Sequence, residues 1–247
     1  YYPLSKGVFM RAIILAAGRG SRMKDLTETK NKCLAELHGK PLLFHQIDAL
    51  KAAGVTEIGI VTGYRNELIE GYGDRAFHNP RWAETNMVSS LVAADPWLSR
   101  GPCIVSYSDI CYAPDPVRAL AEARQPLAIT YDPNWLEVWS ARFEDPLDDA
   151  ESFRLKSGGT LAEIGQKAAH VDEIEGQYMG LLHFRPEGWS ELQRVRATLP
   201  PQDQDRLDMT SALQLIIAAN RAPIGGAPNL LPWGGVELAR ALGGSQG

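Results

Sequence analysis

The sequence predicts an α/β fold, a mostly parallel mixed sheet with helices on both faces, in a single domain. Short β-rich runs alternate with segments whose apolar residues recur at helical spacing, the pattern of parallel strands joined by crossover helices. The first apolar run breaks off into a glycine-rich loop, as strands of such sheets do at a ligand-binding edge. Size agrees, because 247 residues at 45% apolar content bury one substantial core.

The first strand spans 12–15. After Pro41, residues Leu43, Ile47, Leu50 and Ala53 fall at helical spacing and Gly54 supplies a stop. EIGIVTG at 57–63 is the second strand, a helix is expected over 86–98, and PCIVSYSD at 102–109 is a buried strand ending in a carboxylate. A helix over 116–123 leads to the strand LAITYD at 127–132. From Trp135 the pattern shifts to short strands with polar turns, VWSARF, SFRL and GQYMGLLHF, expected as an insertion or sheet extension over the mouth of the site. Helices return over 186–199 and 209–220, followed by a proline- and glycine-rich stretch before Trp233. There is no internal repeat or linker, so the domain is placed at 10–242, with 1–9 an N-terminal extension and 243–247 a flexible tail.

Composition excludes several classes of function. A net charge of −5 without a basic run argues against nucleic acid as the main partner. Cys33, Cys103 and Cys111 are odd in number and lack CxxC spacing, so neither a disulfide framework nor zinc is expected and a reducing, cytoplasmic setting is favoured. The longest apolar runs, 12–18 and 215–219, fall short of the roughly 20 residues that span a bilayer. A secretory leader at 10–18 is not expected either, since its apolar part is minimal and Arg19 and Arg22 follow at once. The histidines His38, His45, His78, His170 and His183 show no metal-ligand spacing, and no GxSxG or Cys–His arrangement suggests covalent catalysis.

The loop after the first strand reads LAAGRGSRM over 15–23, with Lys32 nine positions further on. Small residues let backbone N–H groups approach phosphate oxygens, and Arg22 and Lys32 bring positive charge to the same place. The dinucleotide fingerprint GxGxxG fails, because Met23 stands where a third glycine is needed after Gly18 and Gly20. The Walker pattern GxxxxGK[ST] fails as well.

These residues resemble the signature of the nucleotidyltransferases that couple a nucleoside triphosphate to a phosphorylated small molecule, LAAGxGxRh followed by T, PK and GKPLL. Here the series reads LAAGRGSRM, Thr27, Asn31-Lys32 and GKPLL at 39–43. WAETNMVSSL at 82–91 and DPNWLEVW at 132–139 resemble the base-contacting and tryptophan-containing segments of the phosphocholine cytidylyltransferase branch. The resemblance covers 10–242 and implies a Rossmann-like sheet of the nucleotide-diphospho-sugar transferase type. Its implied partners are CTP, or another NTP, and a small phosphorylated acceptor, with Mg²⁺ as cofactor.

The resemblance further implies that Leu15, Ala16, Ala17, Gly18, Gly20 and Ser21 cradle the nucleotide, that Arg22 holds the leaving phosphates and that Lys32 stabilises developing charge. Asp109 is the implied Mg²⁺ ligand, although a strand-end aspartate can also cap a turn. A second ligand is implied in a segment WxEVD. Trp233-Gly234-Gly235-Val236-Glu237 departs from it, with Glu237 at the aspartate position. Asn31 also departs, standing where the family has proline, which bears on loop stiffness and not on the charge of Lys32. Asn86, Ser89 and Ser90 offer donors and acceptors for a pyrimidine edge, and Asn86 equally suits a helix cap. For the acceptor, Trp135 and then Tyr178 are candidates to face a quaternary ammonium, with Asp132, Glu173 and Glu175 as counter-charges; core packing is the alternative for both rings.

The expectation is a Mg²⁺-dependent cytidylyltransferase moving CMP from CTP to phosphocholine or a similar amino-alcohol phosphate. Its rivals are a sugar-1-phosphate nucleotidyltransferase using UTP, dTTP or GTP, and a non-catalytic nucleotide-binding regulatory module. No nucleic acid or membrane partner is expected. A homodimer is compatible with the sequence, although no heptad or isolated apolar stripe argues for one.

Overall fold

In the computed structural model, which describes residues 10–19 and 31–235, the first apolar run forms β1 (Arg11–Ala16). Its side chains alternate between two cores. Ile13 and Leu15 join Val61, Val105 and Leu182 on one face, whereas Ala12, Ile14 and Ala16 join Leu43, Ile60 and Leu181 on the other. A strand buried on both faces belongs at the centre of a helix-covered sheet.

A two-residue ribbon, β2 (Glu36–Leu37) and β3 (Lys40–Pro41), precedes α1 (Leu42–Ala52) and β4 (Glu57–Thr62). Next come β5 (Arg75–His78), α2 (Met87–Val92), α3 (Asp95–Leu98), β6 (Cys103–Tyr107), β7 (Ile110–Cys111) and α4 (Pro114–Ala121). The chain continues through β8 (Leu127–Asp132), α5 (Trp135–Arg142), β9 (Glu151–Leu155), β10 (Leu161–Lys167) and β11 (Gln177–Phe184). Helices α6 (Pro186–Ala197), α7 (Pro201–Arg206) and α8 (Met209–Ala219) lead to β12 (Ile224–Pro228) and β13 (Gly234–Gly235). Among the described residues seven strands form one sheet in the order β12-β8-β11-β6-β1-β4-β5, in which only β11 runs antiparallel to its neighbours. Helices α1 and α4 cover one face, and α2, α3, α6 and α8 the other, in a single mixed, mostly parallel domain.

Several local expectations are corrected. The helix expected over 86–98 is two helices, α2 and α3, separated at Ala93-Ala94, with Pro96 in the first turn of α3 where its missing N–H costs nothing. VWSARF belongs to helix α5, where Trp135 and Trp139, four apart, share one buried face. GQYMGLLHF does not cover the mouth of the site; it enters the main sheet as β11, between β6 and β8. The glycine-rich stretch before Trp233 contains the edge strand β12, where Gly225 leaves room that a Cβ would take from Gln125, 2.8 Å away. Strands β5 and β10 and helix α7 add to the expected elements. Among the described residues no helix is long and apolar enough to cross a membrane.

Candidate functional site

Because β1 and β6 are parallel neighbours, with Leu15 opposite Tyr107, the loops that leave them emerge at the same edge of the sheet. Between these loops and α2 lies a cavity of 220 Å³. Leu15, Ala17, Gly18 and Lys32 form one side, Tyr107, Ser108 and Asp109 the floor, and Trp82, Thr85, Asn86, Met87 and Ser90 the far wall.

The Lys32 side is held by Asn31. Its Nδ2 donates to the carbonyls of Ala16 and Tyr64, both at 3.0 Å, and its Oδ1 accepts from the Cys33 N–H at 3.3 Å. Asn31 is 1% exposed and caps the short helical turn Lys32–Leu34. Lys32 Nζ then reaches Asp109 Oδ2 at 2.5 Å. The floor is held from α1, where buried Gln46 donates its Nε2 to the carbonyls of Tyr107 at 2.7 Å and Ile110 at 2.5 Å, fixing the turn that carries Asp109. β13 pairs with β7 beside the same turn, Gly235 lying opposite Ile110.

The far wall begins at Asn79, whose Nδ2 donates to the hydroxyls of Thr85 and Ser90, each at 3.0 Å. Asn86 caps α2, its Oδ1 accepting from Met87 N–H at 2.7 Å while its Nδ2 donates to the Arg206 carbonyl at 3.1 Å. It therefore serves as a helix cap and lines the cavity at once. Trp82 packs against Tyr64, ring centroids 5.2 Å apart, and the exposed Arg19 guanidinium lies over the other partner of that pair, 5.6 Å from the Tyr64 centroid. On the floor, Gly180 adopts φ +84° at an irregularity of β11, and a Cβ there would meet the Tyr107 ring at 2.8 Å.

The structure brings Leu15, Ala17, Gly18, Lys32, Asn86, Ser90 and Asp109 together around this cavity. The Ala16 side chain enters the opposite core, and its carbonyl accepts from Asn31 Nδ2. Ser89 is turned away, donating to the Gln204 carbonyl at 3.1 Å and accepting from Arg196. Gly20, Ser21, Arg22 and Thr27 of the loop, and Glu237, lie outside the described residues, as do 1–9 and 243–247.

The expected aromatic and acidic cage is not assembled. Trp135 is 3% exposed, packs on Trp139 and donates its Nε1 to the Ile174 carbonyl at 3.1 Å, so it is a core residue. Asp132 is buried, accepting from Asn134 N–H at 2.8 Å and from Trp233 Nε1 at 2.9 Å. Glu173 accepts the Ala169 and His170 N–H groups, which hold its carboxyl below the ordinary value, and Glu175 accepts the Leu155 N–H. Tyr178 meets Tyr107 edge-on at 5.7 Å beneath the floor, and burial pushes both phenols above the ordinary tyrosine range. Trp82, Thr85, Met87, Tyr107 and Ser108 are lining residues that sequence reasoning passed over. Trp82, Thr85 and Met87 stand inside the quoted segment WAETNMVSSL, the one signal that pointed near them.

Burial pushes the Cys33 and Cys103 thiols up to about 12, so neither is a nucleophile at neutral pH. Among the described residues no group of three or more His, Cys, Asp or Glu side chains converges on a metal position. Asp109 is the carboxylate that lines the cavity. Mg²⁺ takes one or two protein carboxylates and completes its shell with phosphate oxygens and water, so one carboxylate beside a glycine-rich loop fits it.

Comparison with known proteins matches residues 12–198 to the MobA-like NTP transferase domain. The chain is 38% identical over 227 residues to a CTP:phosphoglutamine cytidylyltransferase of Campylobacter jejuni, covering 84% of this chain and 88% of that protein. A choline-phosphate cytidylyltransferase of Streptococcus pneumoniae is 43% identical over a shorter stretch of 86 residues, 33% of this chain and 38% of that one. Among solved structures, the CTP:phosphocholine cytidylyltransferase of Streptococcus pneumoniae superposes with a TM-score of 0.67 at 20% identity, covering 95% of this chain and all (100%) of that one. The inositol-1-phosphate CTP transferase of T. maritima gives 0.70 at 15% identity, covering 92% and 89%. At such identities the structural likeness shows the fold.

Proposed function

The chain belongs to the MobA-like NTP transferase family and is a nucleotidyltransferase, and from that premise we propose that it is a Mg²⁺-dependent cytidylyltransferase acting on a small phosphorylated acceptor. The observation that carries the choice of CTP is the near full-length similarity to a cytidylyltransferase. A phosphate oxygen of the acceptor attacks the α-phosphorus of CTP, the bond to the bridging oxygen breaks, and pyrophosphate leaves with its electron pair. Such transfers depend on positioning and charge neutralisation more than on a nucleophilic side chain.

The residues divide the task. Lys32, released from Asp109, neutralises charge on the transferring phosphoryl group. Asp109 would hold Mg²⁺, which when bound supplies further neutralisation of the triphosphate. The Ala17–Gly18 backbone approaches the phosphates, Asn86 and Ser90 offer polar contacts to the base, and Trp82 offers a ring face. The acceptor we favour is phosphoglutamine, on the near full-length similarity to a CTP:phosphoglutamine cytidylyltransferase. Choline phosphate stands second, on the shorter similarity.

Pyrophosphate release from CTP, UTP, dTTP and GTP, each paired with phosphoglutamine, phosphocholine, phosphoethanolamine, 2-aminoethylphosphonate and sugar 1-phosphates, tests this with and without Mg²⁺. CTP with phosphoglutamine should exceed every other pair by about tenfold or more in kcat/KM, and only with the metal present. Preference for UTP, dTTP or GTP with a sugar 1-phosphate would replace the proposal by the sugar-nucleotide reading. No turnover with any pair would leave a nucleotide-binding module.

A further inference from the structure

We infer that Asn31 is a positioning residue for Lys32, performing with side-chain hydrogen bonds the stiffening that a proline ring would perform at the same place. The inference rests on the reading of Lys32 as the cation of the transfer. Asn31 has φ −70° and ψ 143°, which lies within the range of proline, so the backbone itself does not call for asparagine. What asparagine adds is three contacts to three separate pieces of the site. The Ala16 carbonyl is the end of β1, just before Ala17 and Gly18 on the cavity side. The Tyr64 carbonyl belongs to the loop after β4, whose Tyr64 ring packs against Trp82 on the far wall. The Cys33 N–H belongs to the turn on which Lys32 stands.

The same region is tied once more by Tyr64 N–H donating to the Ala17 carbonyl at 2.9 Å. Together these bonds make a rigid triangle of β1 end, Tyr64 loop and Lys32 turn, with the Asn31 amide at its centre. An amide is the group that suits the place. Its NH₂ meets two carbonyls and its oxygen meets an N–H, so all of its buried polar atoms that point inward are satisfied. A carboxylate of the same shape would set one of its oxygens against two carbonyl oxygens, and an alanine would leave those carbonyls without this donor.

The test compares Asn31→Ala, Asn31→Asp and Asn31→Pro with Lys32→Ala in the full-length protein, reading kcat, both KM values and thermal unfolding. Asn31→Ala and Asn31→Asp should lower kcat by about 10- to 100-fold, as misplacement of a charge by about an ångström does. Their KM for the acceptor should stay within about twofold, the split expected when a transition-state contact is lost. Asn31→Pro, which holds φ but like alanine leaves the Ala16 and Tyr64 carbonyls without the amide donor, should recover part of the kcat lost in Asn31→Ala. The inference is overturned if Asn31→Ala melts earlier but keeps its kcat per folded molecule, or if Asn31→Pro is as impaired as Asn31→Ala. An unaltered kcat in Lys32→Ala overturns the reading of Lys32 itself, and with it the inference.

Discussion

Gly63 shows how much of the site is decided by single residues that carry no chemistry. A Cβ built there would stand 2.6 Å from both the Ala17 carbonyl oxygen and Trp82 Cβ, so the near side and the far wall of the cavity approach each other across a missing methyl group. Gly63→Ala should therefore push Trp82 outward, cost about 1–3 kcal/mol of stability by overpacking and raise the KM for CTP more than that for the acceptor. Urea unfolding and steady-state kinetics check both halves, and equal changes in the two KM values would contradict the placement of Trp82 beside the nucleotide. Lys32 and Asp109 were legible in the sequence because one sits in a spaced motif and the other ends an apolar strand. Trp82, Tyr107 and Asn79 were not, because what places them is contact with residues distant in the chain. Trp135 misled for the converse reason. A tryptophan's chemistry for a cation and its bulk for a core look the same until its neighbours are known.

At the scale of elements, the clearest strands and helices were those with regular periodicity, and the errors gathered where periodicity and tertiary pairing conflict. VWSARF alternates enough to look like a strand, yet the four-residue spacing of Trp135 and Trp139 lets α5 bury both rings. IGGAP has almost no strand propensity and becomes one by pairing with β8. The aromatic cluster of α5 has a further task, because Trp139 packs on Trp233, 6.4 Å between centroids, and Asp132 accepts the Trp233 indole N–H. This pair anchors the segment that supplies β13 to β7, beside the Asp109 turn. Trp233→Ala should speed amide exchange across Ile110 and Cys111 by about tenfold while β4 and β5 exchange as before. Peptide-level hydrogen exchange mass spectrometry measures this, and uniform acceleration across the sheet would point to global destabilisation instead.

At the scale of the whole molecule, the sheet buries a titratable group that the chemistry does not use. His183 on β11 is 4% exposed, its Nδ1 has no hydrogen-bond partner among the described residues, and burial together with the nearby Arg185 guanidinium pushes its pKa down from 6.5 to about 4. The unfolded chain thus binds a proton below about pH 6.5 that the folded chain refuses until about pH 4, so stability falls as pH falls through that window. The loss approaches about 3 kcal/mol at pH 4. Urea midpoints measured at pH 7 and pH 5 should differ in the wild type and differ less in His183→Gln; an equal pH dependence in both would remove His183 as its source. The alternation of β1 between two cores also has a consequence for insertions and deletions. Inserting or deleting one residue inside that strand would exchange every side chain between the two faces at once, so the glycine-rich loop that follows it cannot drift by a single position. The spacing from β1 to the loop is thereby tied to two hydrophobic cores, one of which reaches the cavity itself through Leu15 and Ala17.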